Sequence, residues 1–571
     1  MKATFISKKL HFLILANTFQ IGVDYIVSLC SSVIGGNLLG GAALSAISLA
    51  SPFLIFIIFT SDICGLGASS QISYEIGKHD SDKANRYFSQ GLIFSVCMGG
   101  VLTTLYLLIN TLNPNLFGVS AETNTYFREY LQYIYILPLL QAPGSYLYMI
   151  VINEGGEKTC MAASIIRAAS MVVLSTILCT GMGAGGIGLA TVLSFLVSRA
   201  PLVIFMLSKR FSLRFRWHFD TKTLGRILTV GASGAGFNLF LCLMRLVLNV
   251  FLLSRFGEPA LVVFAVMMNV LELMIALFSS TGFSLSMPVS MYRGEHMQTS
   301  IRKTMHVALR VAAIEGVLLA IVLFAFSGQV AGVFGVVDAT LAAQAATGVR
   351  IFAAGCLPAA ILLLMICYYS YIEKIRLAFG FTMLYLFLLP ISLGAGLGLA
   401  FGLEGVMWGI SISSAVALGL LLLIVKTKWK KSTFPLLLNP HALASELSYD
   451  VEKSQDGVMT LVDMVEHDLT EHGLGRAAIN KIMLMIEETQ MLALESGKLK
   501  NEVIECGIVL GDTISVILRD SGSNSDPADE ETGHADTKHM LPMMIIGAHK
   551  DRMYTLAGGK SRVVYRFPYA E

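Results

Sequence analysis

Seven ionisable side chains, Asp24, Asp62, Arg167, Arg245, Glu272, Arg310 and Glu315, stand inside long apolar runs of this 571-residue chain. Such groups are costly in hydrocarbon and mark ion or substrate paths by default. Desolvation raises the proton affinity of a carboxylate in a low-dielectric cavity and a nearby cation lowers it, so the group can exchange a proton or Na⁺ against a bound solute. Helical spacing places Gln20, Asp24 and Ser31 on one face, and Asn238, Arg245 and Asn249 on another; Asn269 lies one turn before Glu272. Counting from the ends of the runs puts Asp24, Arg245 and Glu272 near the middle or in the outer half of the membrane, and Glu315 near the middle. Asp62 and Arg310 lie nearer run ends, where a side chain reaching for the interface is the competing reading. For Asp24, Arg245 and Glu272 the competing reading is a permanently neutralised structural cluster, because a buried Arg demands a carboxylate whether or not anything is transported.

The elements that carry these residues must be membrane helices. The chain is 55% hydrophobic and 14% charged, against about a quarter charged in soluble domains. Runs able to cross about 30 Å of hydrocarbon fall near 11–34, 42–70, 89–110, 127–152, 160–181 and 186–208, and again near 227–252, 260–291, 304–327, 342–371, 376–396 and 404–425. A lipid-exposed backbone must satisfy its hydrogen bonds within the segment, which makes each run a helix. The first run lacks a small-residue cleavage site and reads as a span rather than a leader. Alternate loops hold the basic residues, from Lys8 and Lys9 through Lys78, Lys83 and Arg86 to Lys426, Lys428, Lys430 and Lys431. Both ends are therefore expected in the cytoplasm. A net charge of +2 argues against a nucleic-acid partner. Eight of the nine cysteines lie singly in apolar stretches, without disulfide or zinc spacing.

The two halves repeat each other at an offset of 217 residues. Gly40 matches Gly257, Ala43 matches Ala260, Gly65 matches Gly282, Ser69 matches Ser286, Gly77 matches Gly294, His79 matches His296 and Gly99 matches Gly316. Six spans per half give two copies of the same orientation, related by an axis along the membrane normal. The expected fold is an all-α polytopic membrane protein of twelve transmembrane helices in two six-helix parallel repeats, residues 1–220 and 221–431, followed by a cytoplasmic α/β (α+β sandwich) domain over 436–571.

The segment GGNLLGGAALSAISLASPFLIFIIF, followed by GLGASSQISYEIGKHDSDKANRYFSQGL, resembles the first-to-third-span signature of the multidrug and toxic compound extrusion (MATE) family. NEGGEKT after the fourth span and GMGAGGIGLATVLS entering the sixth are also similar to that family. The resemblance implies secondary active efflux of organic, cationic, drug-like solutes by H⁺- or Na⁺-coupled antiport across a bacterial plasma membrane. The family usually carries an Asp late in its first helix, just before a Gly. Alignment through Gly36 and Gly40 puts Ser31 there, and the carboxylate here is Asp24, two turns earlier on the same face. The implied coupling site thus moves to Asp24. Lipid-linked-precursor flippases share the same plan and form one rival reading; a membrane-anchored signalling protein forms another.

After KTKWKKSTFP the charges become frequent, which marks a new domain. Its pattern predicts helices over 457–472 and 476–495 and strands over 502–509, 513–519 and 561–567. VEHDLTEHGLGRAAINKIMLMIEETQMLALESG followed by ISVILRDSGSNSDP resembles the GHKL ATP-binding fold in its anti-sigma-factor kinase branch, with Glu487, Glu488, Asp520, Gly522 and Pro527 matching. The magnesium-ligating Asn of that fold is Leu492 here. The resemblance therefore implies a degenerate nucleotide-binding or partner-docking module without hydrolysis. No organic cofactor or metal is expected; the partners expected are a small-molecule substrate, membrane lipids and a regulatory protein docking on the C-terminal domain.

Overall fold

The computed structural model describes residues 5–39, 43, 46–47, 50–112, 121–208, 210–217, 219–333, 338–430, 432–496, 503–520, 545–546, 549, 551–557 and 560–568. Helices dominate up to residue 428. They are α1 (Phe5–Leu39), α2 (Ser51–Gly77), α3 (Ser81–Leu112), α4 (Ala121–Ile134), α5 (Leu137–Asn153) and α6 (Glu157–Met206). The second half follows with α7 (Thr221–Phe256), α8 (Glu258–Phe283), α9 (Ser286–Gly294), α10 (Gln298–Ala325), α11 (Ser327–Val333), α12 (Ala339–Tyr371), α13 (Ile375–Met383) and α14 (Leu389–Lys428).

Among the described residues eight helices are long and apolar enough to cross a membrane, or nine if the pair bent by 48° around residue 135 counts as one span. Two of them exceed any bilayer. The 50 residues of α6 would rise about 75 Å at 1.5 Å per residue, and the backbone leaves helical geometry at Gly183 (φ 58°, ψ −139°). In α14 the same break occurs at Gly402 (φ 67°, ψ −151°). Positive φ at both points favours glycine, since a Cβ there would be strained. Each glycine divides its long helix into two legs.

The helices of the two sequence halves, α1–α6 (the N-terminal lobe) and α7–α14 (the C-terminal lobe), meet through small residues. A Cβ on Gly67 of α2 would lie 2.0 Å from the Ile227 carbonyl oxygen of α7, and one on Gly231 of α7 would lie 2.0 Å from that of Ile63. Gly77 and Gly294 face each other in the same way, a Cβ on either reaching the other's Cα at 3.1 and 3.0 Å. Hydroxyls add Ser69···Ser286 at 3.0 Å and Ser70···Ser290 at 2.8 Å. Asn17 of α1 donates to Ser284 and Thr18 pairs with Ser280, both at 2.8 Å. Arg293 stacks 4.1 Å over the ring of Tyr74. These contacts fall in the half of each helix nearest the basic loops, so the lobes are closed at that end.

The tail adds α15 (Pro440–Ala444), β1 (Glu446–Glu452), α16 (Gln455–Glu471), α17 (Arg476–Ser496), β2 (Val503–Val509), β3 (Thr513–Asp520), β4 (Arg552–Ala557) and β5 (Lys560–Pro568). Among the described residues the strands form one antiparallel sheet in the order β1-β2-β3-β5-β4. Both helices and the β2, β3 and β5 segments fall where the sequence pattern puts them; β1 and β4 are additional. Alternate residues point to opposite faces. Ile504, Cys506, Ile508, Val516, Leu518, Val563 and Tyr565 pack on α16 and α17, whereas Ile517 and Val564 join the apolar cluster of the C-terminal lobe. All nine cysteines are free thiols.

Because the atoms opposing Gly67 and Gly231 are backbone, neither helix can yield to a side chain. Gly67→Val or Gly231→Val is expected to lower stability by about 1–3 kcal/mol or more, read as a fall in the thermal midpoint of the purified protein. Gly225→Ala on α7, which meets nothing within 4 Å, should stay close to wild type; equal losses at all three positions would contradict the close crossing.

Candidate functional site

The intramembrane charges form two pairs and two single contacts. On α8, Glu272 accepts from Arg245 Nη2 of α7 at 2.5 Å, with the side chains 27% and 32% exposed. Asp24 is not part of that pair. Its Oδ1 accepts from Arg167 Nη1 of α6, because α1 packs along α6 and brings Arg167 to it. Of the two carboxylates that the sequence groups with Arg245, Glu272 is the one bonded to it, and Asp24 bonds to Arg167, which gives two separate ion pairs, Asp24–Arg167 within the N-terminal lobe and Arg245–Glu272 within the C-terminal lobe. A low-dielectric site needs one compensating charge per ion, and the nearest helix supplies it.

The helix that meets both pairs is α1. Tyr25, next to Asp24, lies within electrostatic reach of Glu272 and Arg245, so successive residues of one turn look toward the two lobes. Asp62 on α2 lies within reach of Asp24 and accepts from Asn238 of α7 at 3.4 Å, across the lobe boundary. Asn238 and Arg245 do share one face, and half-buried Asn249 continues it. Asn269 is exposed, its amide donating to the Ala265 carbonyl at 2.7 Å. Gln20 is half-buried. Ser31 is buried and donates to the Val27 carbonyl at 3.0 Å, which satisfies it within its own helix. Glu315 of α10 accepts from Thr281 Oγ1 of α8 at 2.8 and 2.9 Å and so links two helices of one lobe. Arg310 is exposed, as expected of a cation that reaches the interface.

One intramembrane cation escaped the sequence reading. Arg199, in the second leg of α6, stacks 4.1 Å over Phe195, and Arg167 approaches the same ring at 5.2 Å. Its field is felt together with those of Arg167 and Asp24. Proximity to the end of its apolar run hid it, although its spacing of four from Phe195 was available as a signal.

In the tail, Asp520 is 4% exposed and bonds to Lys453 at 2.7 Å, with both side chains nearly inaccessible. Glu487 and Glu488 are half-buried on α17, while Leu492 is part of the domain's apolar core. Gly522, Pro527 and most of LPMMIIGAHKD lie outside the described residues.

A MatE family model matches residues 18–178, a segment that includes Asp24, Asp62 and Arg167. The chain is 23% identical over 336 residues to a probable multidrug resistance protein, YoeA, of Bacillus subtilis (strain 168), covering 56% of this chain and 71% of that protein. Solved structures agree over most of their length. An outward-facing multidrug resistance MATE transporter of the MOP superfamily superposes with a TM-score of 0.68 at 21% identity, covering 73% of this chain and 94% of that one. The fold is that of a MATE transporter. A MOP superfamily transporter of Pyrococcus furiosus Vc1 (DSM3638), described for the reverse polarity of its binding pocket, gives 0.68 at 20% identity with the same coverage. The Vibrio cholerae MATE transporter VcmN in its bent form gives 0.66 at 17% identity, covering 73% of this chain and 95% of that one. Together the matches show a MATE-like fold, with a family-model match over residues 18–178 and many apolar helices. In this frame one ion pair includes Asp24 of the first helix and the other lies within electrostatic reach of its neighbour Tyr25.

The pairing makes a specific energetic claim. Arg245→Met should destabilise the protein and regain stability when combined with Glu272→Gln, but not with Asp24→Asn; Arg167→Met should be rescued by Asp24→Asn alone. Coupling energies of about 0.5–3 kcal/mol are expected for the true pairs, measured as double-mutant cycles on thermal midpoints in detergent. A larger coupling between Asp24 and Arg245 than between Asp24 and Arg167 would reverse the assignment.

Proposed function

We propose that the chain is a secondary active exporter of organic, cationic, drug-like solutes, working by H⁺- or Na⁺-coupled antiport across a bacterial plasma membrane with both termini in the cytoplasm. The observation that carries the reading is the polar layer on both sides of α1, at the boundary between two lobes of a MATE fold. A carboxylate already paired with an arginine can release it when a cation or proton arrives, which turns an ion pair into an exchange site. The name of the Bacillus subtilis relative points the same way.

Twelve spans in two six-helix repeats are part of the proposal. Its support lies in mates that share the offset. Ser69 hydrogen-bonds Ser286, and Gly77 lies against Gly294. His79 and His296 both take a left-handed φ, 64° and 63°. The breaks at Gly183 and Gly402, within two residues of that offset, divide α6 and α14 in the same way. Residues meeting their own mates lie on an axis between the lobes, which is where alternating access requires a symmetric closure.

The tail is proposed as a regulatory module of degenerate GHKL type. Asp520 is already engaged by Lys453, and Leu492 offers no oxygen to magnesium. A second reading, a flippase for lipid-linked precursors, draws on Arg199 and Arg167 around Phe195, a basic site suited to an anionic headgroup.

In proteoliposomes the wild type should move a cationic dye under an imposed proton or sodium gradient. Asp24→Asn should reduce gradient-driven flux to the background leak, and Asp24→Glu should keep part of it. Normal flux in Asp24→Asn would remove Asp24 as the coupling site; movement of an anionic lipid headgroup instead of the dye would favour the flippase. MgATP should leave the thermal stability of the full-length protein unchanged, whereas a working site would add about 2.7 kcal/mol at a hundredfold excess over Kd.

A further inference from the structure

The second face of the tail's sheet is closed by the transporter itself. Glu505 of β2 sits opposite Arg519 of β3, and Arg519 sits opposite Arg562 of β5, so sheet register alone lines three charges across the face. Two arginines side by side repel. Glu295, in the turn between α9 and α10, enters between them. It accepts from Arg562 Nη1 at 2.7 Å and from Arg519 Nη2, while Arg519 Nη1 reaches Glu505 at 2.8 Å. These four side chains are at most 1% exposed.

Arg562 does more than balance Glu295. Its Nη2 donates to the carbonyl of Ile76 at 2.8 Å and to the ring of His79 at 2.5 Å. Ile76 and His79 belong to the end of α2 and the turn after it, in the N-terminal lobe; Glu295 belongs to the corresponding turn of the C-terminal lobe. One guanidinium thus bonds to both lobes. Although β2 also touches α1, further bonds fasten the domain to the C-terminal lobe. Lys303 bonds to Asp450 at 3.1 Å, and Glu446 accepts the Thr299 amide at 2.7 Å. Tyr368 and Tyr369 donate to the Leu436 and Pro435 carbonyls at 2.7 and 2.8 Å. The end of Met297 abuts Gly507.

We propose that the C-terminal domain is a cytoplasmic clamp, in which Arg562 holds the turn after α2 to the turn after α9 and so keeps the two lobes closed at their cytoplasmic ends. The clamp rests on the alternating-access reading above, because opening toward the cytoplasm must separate those two turns. With so many bonds to the C-terminal lobe, the domain stays there and the His79 side lets go. The sheet face is then a conformational lock, and whatever loosens Arg562 sets the rate of inward opening.

Spin labels at Lys83→Cys and Arg302→Cys, exposed sites on the two lobes, report the cytoplasmic separation by pulsed dipolar spectroscopy in a background without native cysteines. The wild type should give one short distance. Arg562→Met should raise the ratio of long to short distances about tenfold or more, and His79→Gly should raise it severalfold. The latter keeps Arg562 on Glu295, and glycine adopts the left-handed φ of residue 79 without strain. If Arg562→Met fails to fold, His79→Gly decides. Unchanged distances in folded variants, or an equally populated long distance in the wild type, overturn the clamp. Dye flux is read separately: shifted distances without flux in any form sink the efflux reading and leave the clamp, and flux with unshifted distances does the reverse.

Discussion

The carboxylate of Glu295 is the group on which the cytoplasmic assembly depends, because it is the charge that lets two arginines share a dry interface. Without it, Arg519 and Arg562 would face each other across paired strands, with Glu505 as the remaining carboxylate bonded to either among the described residues. Burial pushes the Glu505 carboxyl up in proton affinity. Burial also opposes the charge of Arg519, yet Glu295 and Glu505 outweigh it and hold the guanidinium above its usual range. His79 completes the arrangement as a neutral acceptor: burial first, then Arg562 beside it, push its pKa down to about 2. Four charges that sum to zero, with a neutral imidazole at the edge, satisfy the requirement that buried ions be paired and hydrogen-bonded.

The same requirement sorts the charges inside the membrane. Asp24 is grouped with Arg245 and Glu272 by its depth in the membrane, and packing of α1 along α6 gives it Arg167 instead. Arg245 then needed its own carboxylate and found Glu272 on the next helix. Since each pair is internal to a lobe, neither one ties the lobes together. Hydrogen bonds that cross the boundary within the membrane include hydroxyls, amides and the Asp62–Asn238 bond, beside the stacking of Arg293 on Tyr74. Such neutral or single-charge contacts are cheap to exchange for water, about 0.5–1.5 kcal/mol each, which suits surfaces that must part.

Much of this was legible in the residues. The helices follow from apolar length, and both tail helices follow from their period. Ser69 and Ser286, or Gly77 and Gly294, were recognisable as mates at a fixed offset; that each mate touches the other needed the three-dimensional axis. Periodicity names the face a residue occupies, and it cannot name the partner across the gap. That is why Arg167 was assigned no partner and why Asp520, matched to a nucleotide-binding fold, proved to be bonded to Lys453. Strand β1 escaped because ELSYDVE is polar on one side, where Glu446, Ser448 and Asp450 bond to the transporter rather than to water. A sheet with both faces buried disguises its charges as solvent-facing ones.

Register makes the charged row of the tail possible at all. A slip of one residue between β3 and β5 would send Arg562 to the helix-packed face and bring Val563 to Glu295, since strand neighbours alternate in direction. The apolar residues Val563, Tyr565 and Phe567, buried under α16 and α17, hold that register from the opposite side. The hydrophobic core of the tail therefore positions the polar contact that joins the two lobes, and the same strands serve both tasks because every second residue belongs to each.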